Sequence, residues 1–137
     1  MMELKYLLDS DVFSLMVKGL DPVINRRLET LGKGEAALSV ITSGEFFYGV
    51  AHAPVSALRQ KRAQRLIDFF GVMPVTEAVA SIYGDIRADL RAKGTPIGPN
   101  DLWLAAHAKT LGVVLVSRND REFKRVVGLA VESWSTP

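Results

Sequence analysis

The sequence predicts an α/β fold: a central, mostly parallel sheet of four to five short strands with helices on both faces. Three observations carry this. Short apolar runs alternate with longer amphipathic segments from end to end. Glycine or proline marks most of the junctions between them. Val113–Val116 is a run of four aliphatic residues with no polar member, which suits a central parallel strand covered on both sides. Strands that alternate with helices are joined by right-handed crossovers, and these build parallel sheets. The 137 residues are enough for one sizeable core, so residues 1–137 are read as a single domain.

Taken in order, Leu4–Leu8 reads as the first strand, followed by a helix from about Asp11 to Lys18 that Gly19 breaks. Pro22 suits the first turn of the next helix, which runs to about Leu31, with Gly32 and Gly34 after it. Ala36–Val40 is the second strand, and a helix from Thr42 to Ala51 is stopped by Pro54. Ser56–Phe70 is amphipathic, with Leu58, Leu66, Ile67 and Phe70 near one face and Arg59, Lys61, Arg62 and Arg65 elsewhere. Val72–Val75 is a third strand. Thr76 caps a long helix that reaches about Lys93 and ends at Gly94. Pro99 opens a helix through Thr110, which Gly112 closes, and Val113–Val116 follows. A helical turn over Arg121–Val126 and a last strand over Leu129–Val131 complete the reading.

Composition narrows the chemistry. With 48% hydrophobic and 23% charged residues, the chain has enough apolar surface to offset the entropy of ordering. It has no cysteine, which excludes disulfides, thiolate metal sites and cysteine nucleophiles. With only two histidines, a metal would be held mainly by oxygen, and oxygen ligands suit a hard cation such as magnesium or manganese. The net charge of +2 permits a polyanionic partner without demanding one. The N-terminal apolar stretch is short and interrupted by Asp9 and Asp11, unlike a signal peptide, and no run approaches the roughly 18 apolar residues of a membrane span. A cytoplasmic protein with no membrane partner is the expectation.

In parallel sheets ligands bind beyond the carboxyl ends of the strands. Asp9 follows the first strand, Glu45 and Asp101 lie in the first turns of two predicted helices, and Ser117, Arg118, Asn119 and Asp120 follow the central strand. Two carboxylates ~4 Å apart repel by ~4 kcal/mol at an effective dielectric near 20. Such a cluster takes up a proton or binds a cation. A divalent ion there would activate water and stabilise a pentavalent phosphorus, which points to metal-dependent phosphodiester cleavage. Each residue also has a local explanation. Thr42-Ser43-Gly44-Glu45 fits a T-x-x-E capping box, Asp101 complements a helix dipole, Asn119 and Glu122 are spaced as a cap, and Asp9 could cap the helix that follows it.

Tyr6-Leu7-Leu8-Asp9-Ser10-Asp11 resembles the opening motif of PIN-domain nucleases, and Ser39-Val40-Ile41-Thr42-Ser43-Gly44-Glu45 resembles their second. Gly94-Thr95-Pro96-Ile97-Gly98-Pro99-Asn100-Asp101 with the following Leu102–Ala108 is similar to the third motif of the VapC toxin branch. Val114–Phe123 resembles the fourth motif, and Gly128–Trp134 the tail. The resemblance spans Tyr6 to Trp134. It implies a magnesium-dependent endoribonuclease (with manganese able to substitute), the toxin of a type II toxin–antitoxin pair, homodimeric and neutralised by a VapB-type antitoxin. It implies that Asp9 and Asp101 are the principal metal ligands, that Glu45 is the second acid, which completes the pocket or holds metal-bound water, and that Asn119 stands where many members carry a fourth acid and others carry asparagine. Asp11 stands where the family usually has asparagine, and Asn119 brings no full charge; Asp120 and Glu122 are the nearby acids that could compensate.

Arg118 is the candidate phosphate contact; Arg87, Arg91, Lys93, Arg121, Lys124 and Arg125 are further cations near the motifs, and the Arg59–Arg65 cluster reads as a solvated face. His107 reads as a structural histidine. Phe46, Phe47 and Tyr48 suit a dimer or antitoxin groove with at least one of them in the core, and Trp103 suits the core or a dimer interface. Three other readings compete: a PIN nuclease that processes housekeeping RNA or cuts DNA, a receiver-like phosphoacceptor, and a non-catalytic module. A receiver would need an aspartate directly after its middle strand and a lysine after a later one, whereas Ser117 and Arg118 follow Val116.

Overall fold

Five short strands form one all-parallel sheet in the computed structural model, which describes residues 3–135. They are β1 (Tyr6–Leu8), β2 (Ala36–Ser39), β3 (Val72–Met73), β4 (Val114–Val116) and β5 (Val131–Glu132), in the order β3-β2-β1-β4-β5. The helices are α1 (Ser10–Lys18), α2 (Pro22–Thr30), α3 (Val40–His52), α4 (Ala57–Phe70), α5 (Glu77–Ala92), α6 (Pro99–Leu111) and α7 (Asp120–Phe123). The expected architecture is therefore present, with every strand pair parallel. Among the described residues no helix is long and apolar enough to cross a membrane.

Alternation along the strands divides the core into two layers. Leu7, Ala37 and Leu115 face a layer filled from α5, α6 and α7 by Val79, Ile86, Leu90, Leu104 and Phe123. Leu8, Ala36, Leu38 and Val116 face the other, filled from α1, α2 and α4 by Phe13, Met16, Ile24, Leu66 and Phe70. Both faces of the central strands are buried, as the unbroken aliphatic run of β4 requires.

Register brings the functional end of the sheet into line. Leu8 is the partner of Leu38 on one side and of Val116 on the other, so Asp9, Ser39 and Ser117 stand side by side at the carboxyl edge. All three are buried. The chain leaves β1 for β2 and β3 on one side and later fills β4 and β5 on the other. The strand order reverses beside β1, which is where an open parallel sheet forms its ligand crevice.

Most helix boundaries follow local chemistry. The Asp21 carboxylate accepts from the N–H groups of Val23 and Ile24, with Pro22 at the first helical position. Gly19 ends α1 at φ +70°, a conformation that strains any residue with a Cβ. Arg62, expected on a solvated face, instead donates from Nε to the Met16 carbonyl at 2.8 Å and ties α4 to the end of α1.

The start of α3 corrects the expectation. The helix begins at Val40, and its cap is Ser39, whose hydroxyl accepts from the Ile41 N–H at 3.0 Å. Thr42 is therefore no cap, and Glu45 lies in the second turn rather than the first. The Thr42 hydroxyl is buried and donates to the Leu8 carbonyl at 3.0 Å, a contact across 34 residues that no local pattern announces. Thr42→Val keeps the shape and removes this bond. It is expected to cost about 1 kcal/mol in urea unfolding, with no change in secondary structure by circular dichroism. Thr76 precedes α5 but makes no side-chain cap bond, again unlike the expectation.

Candidate active site

Asp9 combines three structural roles. Its N–H donates to the Val116 carbonyl at 3.0 Å, which extends the β1–β4 pairing by one residue. Its Oδ1 accepts from the Val12 N–H at 2.9 Å, which caps α1. It also shares a hydrogen bond with the Ser117 side chain at the end of β4. The residue is only 4% exposed. Burial pushes its pKa up to about 6; the Ser117 and Val12 hydrogen bonds oppose the rise, and Asp11 and Asp101 add to it. The capping reading and the functional reading of Asp9 thus describe the same residue: capping holds the carboxylate in place, while burial leaves its charge uncompensated.

Asp101 sits in the first turn of α6, behind Gly98 and Pro99. Its pKa is also raised to about 6, first by burial and then by Glu122, Glu45 and Asp11. Every charge that bears on Asp9 or Asp101 is negative. Glu45 accepts a hydrogen bond from the Ser10 hydroxyl at 2.8 Å, so α3 is linked to the start of α1 at the site. The structure therefore brings Asp9, Asp101 and Glu45 into one electrostatic cluster, and it adds Asp11 and Glu122.

Asn119 begins α7 without a side-chain cap bond to the backbone, contrary to the expected spacing rule. Its amide donates instead to the Glu122 carboxylate, and its N–H donates to the Ser117 hydroxyl oxygen at 2.8 Å. Ser117 consequently bridges Asp9 and Asn119. Asp120 is taken up by Lys124 at 3.2 Å, which leaves Glu122 as the acid of this loop that faces Asp101. Arg118 is exposed beside Ser117 and forms no ion pair among the described residues.

Sequence reasoning missed Ser10 and the parts played by Ser117 and Glu122. Ser10 was legible only as the neighbour of Asp9, and the other two depend on the register of β1 against β4. His107 has the structural role expected of it: it is buried, with Nδ1 2.9 Å from the Ser39 hydroxyl. Burial lowers its pKa, with the Pro74 backbone opposing. Phe46 packs edge-on against Phe13, while Phe47 and Tyr48 are exposed, so one of these three belongs to the core. Trp103 is half-buried and stacks on Tyr83.

The donor set suits a hard divalent cation. It consists of oxygen alone, and no positive side chain among the described residues bears on two of its carboxyls. Among the described residues no three acidic or histidine side chains stand as a ready-made cage. Two of the acids are turned to neutral donors, Glu45 to Ser10 and Glu122 to Asn119.

The PIN domain family model matches residues 6–129. The chain is 32% identical to the tRNA(fMet)-specific endonuclease VapC of Shigella flexneri, over 96% of this chain and 99% of that one. It is 34% identical to ribonuclease VapC2 of Haemophilus influenzae, over 96% and 98%. Its structure is similar to that of VapBC2 from Rickettsia felis bound to a DNA fragment from the promoter. The TM-score is 0.88 at 28% identity, covering 96% of this chain and 100% of that one. A second similar structure is DNA-bound VapBC from Salmonella typhimurium, with a TM-score of 0.80 at 33% identity and 96% and 98% coverage.

Proposed function

The chain belongs to the PIN-domain family, and from that premise we propose that it is an endoribonuclease, the toxin of a VapBC-type pair, whose reaction depends on a divalent cation held by Asp9 and Asp101. The observation that carries this is the pair of carboxyls themselves. They come from the end of β1 and the start of α6, both are pushed up to about 6, and every neighbouring charge makes their ionisation harder. A protein that kept these acids only to cap helices would gain nothing from gathering them.

Magnesium, with manganese able to replace it, would supply when bound the charge that stabilises the phosphorus transition state and would make water a better nucleophile. The residues supply the rest. Asp9 holds its carboxylate in a fixed rotamer through Val12 and Ser117. Asp101 presents its carboxylate from the first turn of α6. Glu45, oriented by Ser10, positions the attacking water and accepts its proton. Asn119 keeps Glu122 in place as a reserve of negative charge beside Asp101. Arg118 contacts a phosphate of the RNA. The protein partner is a VapB-type antitoxin, and the active unit is a homodimer.

Purified protein incubated with RNA is expected to cleave it in Mg2+ or Mn2+ and to stop when EDTA is added. A matching VapB-type antitoxin is expected to suppress the cleavage. Equal cleavage in EDTA, or none with either ion, would overturn the reading.

A further inference from the structure

We propose that the cavity between α5 and the segment that enters α6 holds one nucleotide of the RNA, close to the bond that is cut, with its base against Tyr83, Ile97 and Leu102 and its phosphate on Arg87 and Arg91. The proposal rests on the ribonuclease reading and goes beyond it by placing a substrate subsite outside the acidic centre.

The cavity has a volume of about 520 Å³, within the roughly 300–1,000 Å³ typical of small-molecule sites. Leu102 lies buried in its wall, and no acidic side chain lines it. Arg87 and Arg91 are four residues apart on α5 and so share one face of the helix. Both are exposed, and neither forms an ion pair among the described residues. Arg125 adds a third cation at the rim, where its Nη1 donates to the Pro96 carbonyl at 3.3 Å.

The aromatic wall is held in place before any ligand arrives. Tyr83 and Trp103 stack with ring centroids 3.8 Å apart and planes 12° from parallel. The Tyr83 hydroxyl accepts from Arg87 Nη1 at 2.9 Å, and the guanidinium carbon stands 5.9 Å from the ring centroid. A fixed aromatic edge beside exposed cations is the combination that takes up single-stranded nucleic acid: rings meet bases and guanidinium groups meet phosphates.

Position and charge favour RNA over other occupants. Pro99 and Leu102 line the cavity from one face of α6 and Asp101 stands on another face of the same first turns, so one stretch of helix joins the cavity to the acidic centre. That centre repels a polyanion through every charge that bears on it. With no ion in the centre, attraction for RNA comes from cations outside it, and Arg87, Arg91 and Arg125 supply it beside Arg118.

The test uses the full chain and a 2′-O-methyl oligoribonucleotide in EDTA, where the metal-dependent reaction stops, with affinity read by fluorescence anisotropy at several salt concentrations. The Arg87→Ala/Arg91→Ala double variant is expected to bind at least about tenfold more weakly. Its dependence of log K on log salt should be shallower by about 0.7, the value for one phosphate of a single strand that is no longer neutralised. Ile97→Trp, which fills the cavity, should weaken binding and leave that slope unchanged. Arg59→Ala, on the exposed face of α4, should behave like the parent. Equal affinity and slope in the double variant and in Arg59→Ala would overturn the proposal. So would a double variant that keeps its RNA affinity but loses self-association or antitoxin binding, because the occupant would then be a protein. Absence of binding by the parent would also overturn it. Because the oligonucleotide is not cut, a parent protein that binds it through these arginines yet cleaves no RNA would count against the ribonuclease reading alone.

Discussion

Replacing Asp101 by asparagine is expected to lower RNA cleavage by on the order of a hundredfold to a thousandfold, the usual loss when one group that stabilises developing charge is removed, and Asp9→Asn is expected to do the same. The substitution is chosen so that activity is lost while the fold remains. Asparagine is as good a helix cap as aspartate, so the amide oxygen of the Asp9→Asn variant can still accept from the Val12 N–H that the carboxylate now serves. At Asp101 the side chain sits in a first helical turn without a cap bond of its own, and only its charge couples it to Glu122, Glu45 and Asp11. Cleavage rates at saturating Mg2+, with circular dichroism as the check on folding, decide the matter. If both variants cut RNA within about threefold of the parent, the two carboxylates do not have the roles assigned to them.

The second large effect concerns stability in the absence of metal. The carboxyl of Asp9 is raised from 3.8 to about 6 by folding. A group whose pKa rises on folding contributes stability that is full below its unfolded pKa and is lost as pH climbs through its folded one. The loss therefore falls between about pH 4 and pH 6 and amounts to about 3 kcal/mol, at 1.36 kcal/mol for each pKa unit. An amide at this position does not ionise and escapes it. In EDTA, Asp9→Asn is expected to melt near the parent temperature at pH 4 and about 10 °C above it at pH 7.5, taking about 3–5 °C per kcal/mol for a chain of this size. A divalent ion at about a hundred times its Kd should restore about 2.7 kcal/mol to the parent at pH 7.5 and much less to the variant. Melting curves that stay together from pH 4 to pH 8, with and without the ion, would show that Asp9 bears no uncompensated charge.

What was legible in the sequence was whatever local chemistry decides. The four-residue aliphatic run marked β4, and Asp21-Pro22, Gly19 and Gly112 marked helix ends, because each acts within a turn of its own position. Asp9 and Asp101 were legible as acids at the open end of a parallel sheet. The start of α3 was misread because Thr42 and Glu45 satisfy a capping pattern that tertiary structure overrides: Ser39 takes the cap, and the Leu8 carbonyl takes the Thr42 hydroxyl. The links of Ser117 and Glu122 to the two aspartates were invisible for a related reason. The link from Ser117 to Asp9 exists only because Val116 pairs with Leu8, and a register of that kind is settled by packing on both faces of the sheet. Arg62 looked like part of a charged surface because nothing near it in the chain announces the Met16 carbonyl.

The division of the core into two layers has a mechanical consequence. Asp9 leads into α1, which fills one layer, whereas Asp101 rides on α6, which fills the other. Any small slide of one half against the other alters the spacing of the two carboxylates. An ion shared between them would work as a rivet through both halves, so that loading the centre would stiffen the whole body of the protein.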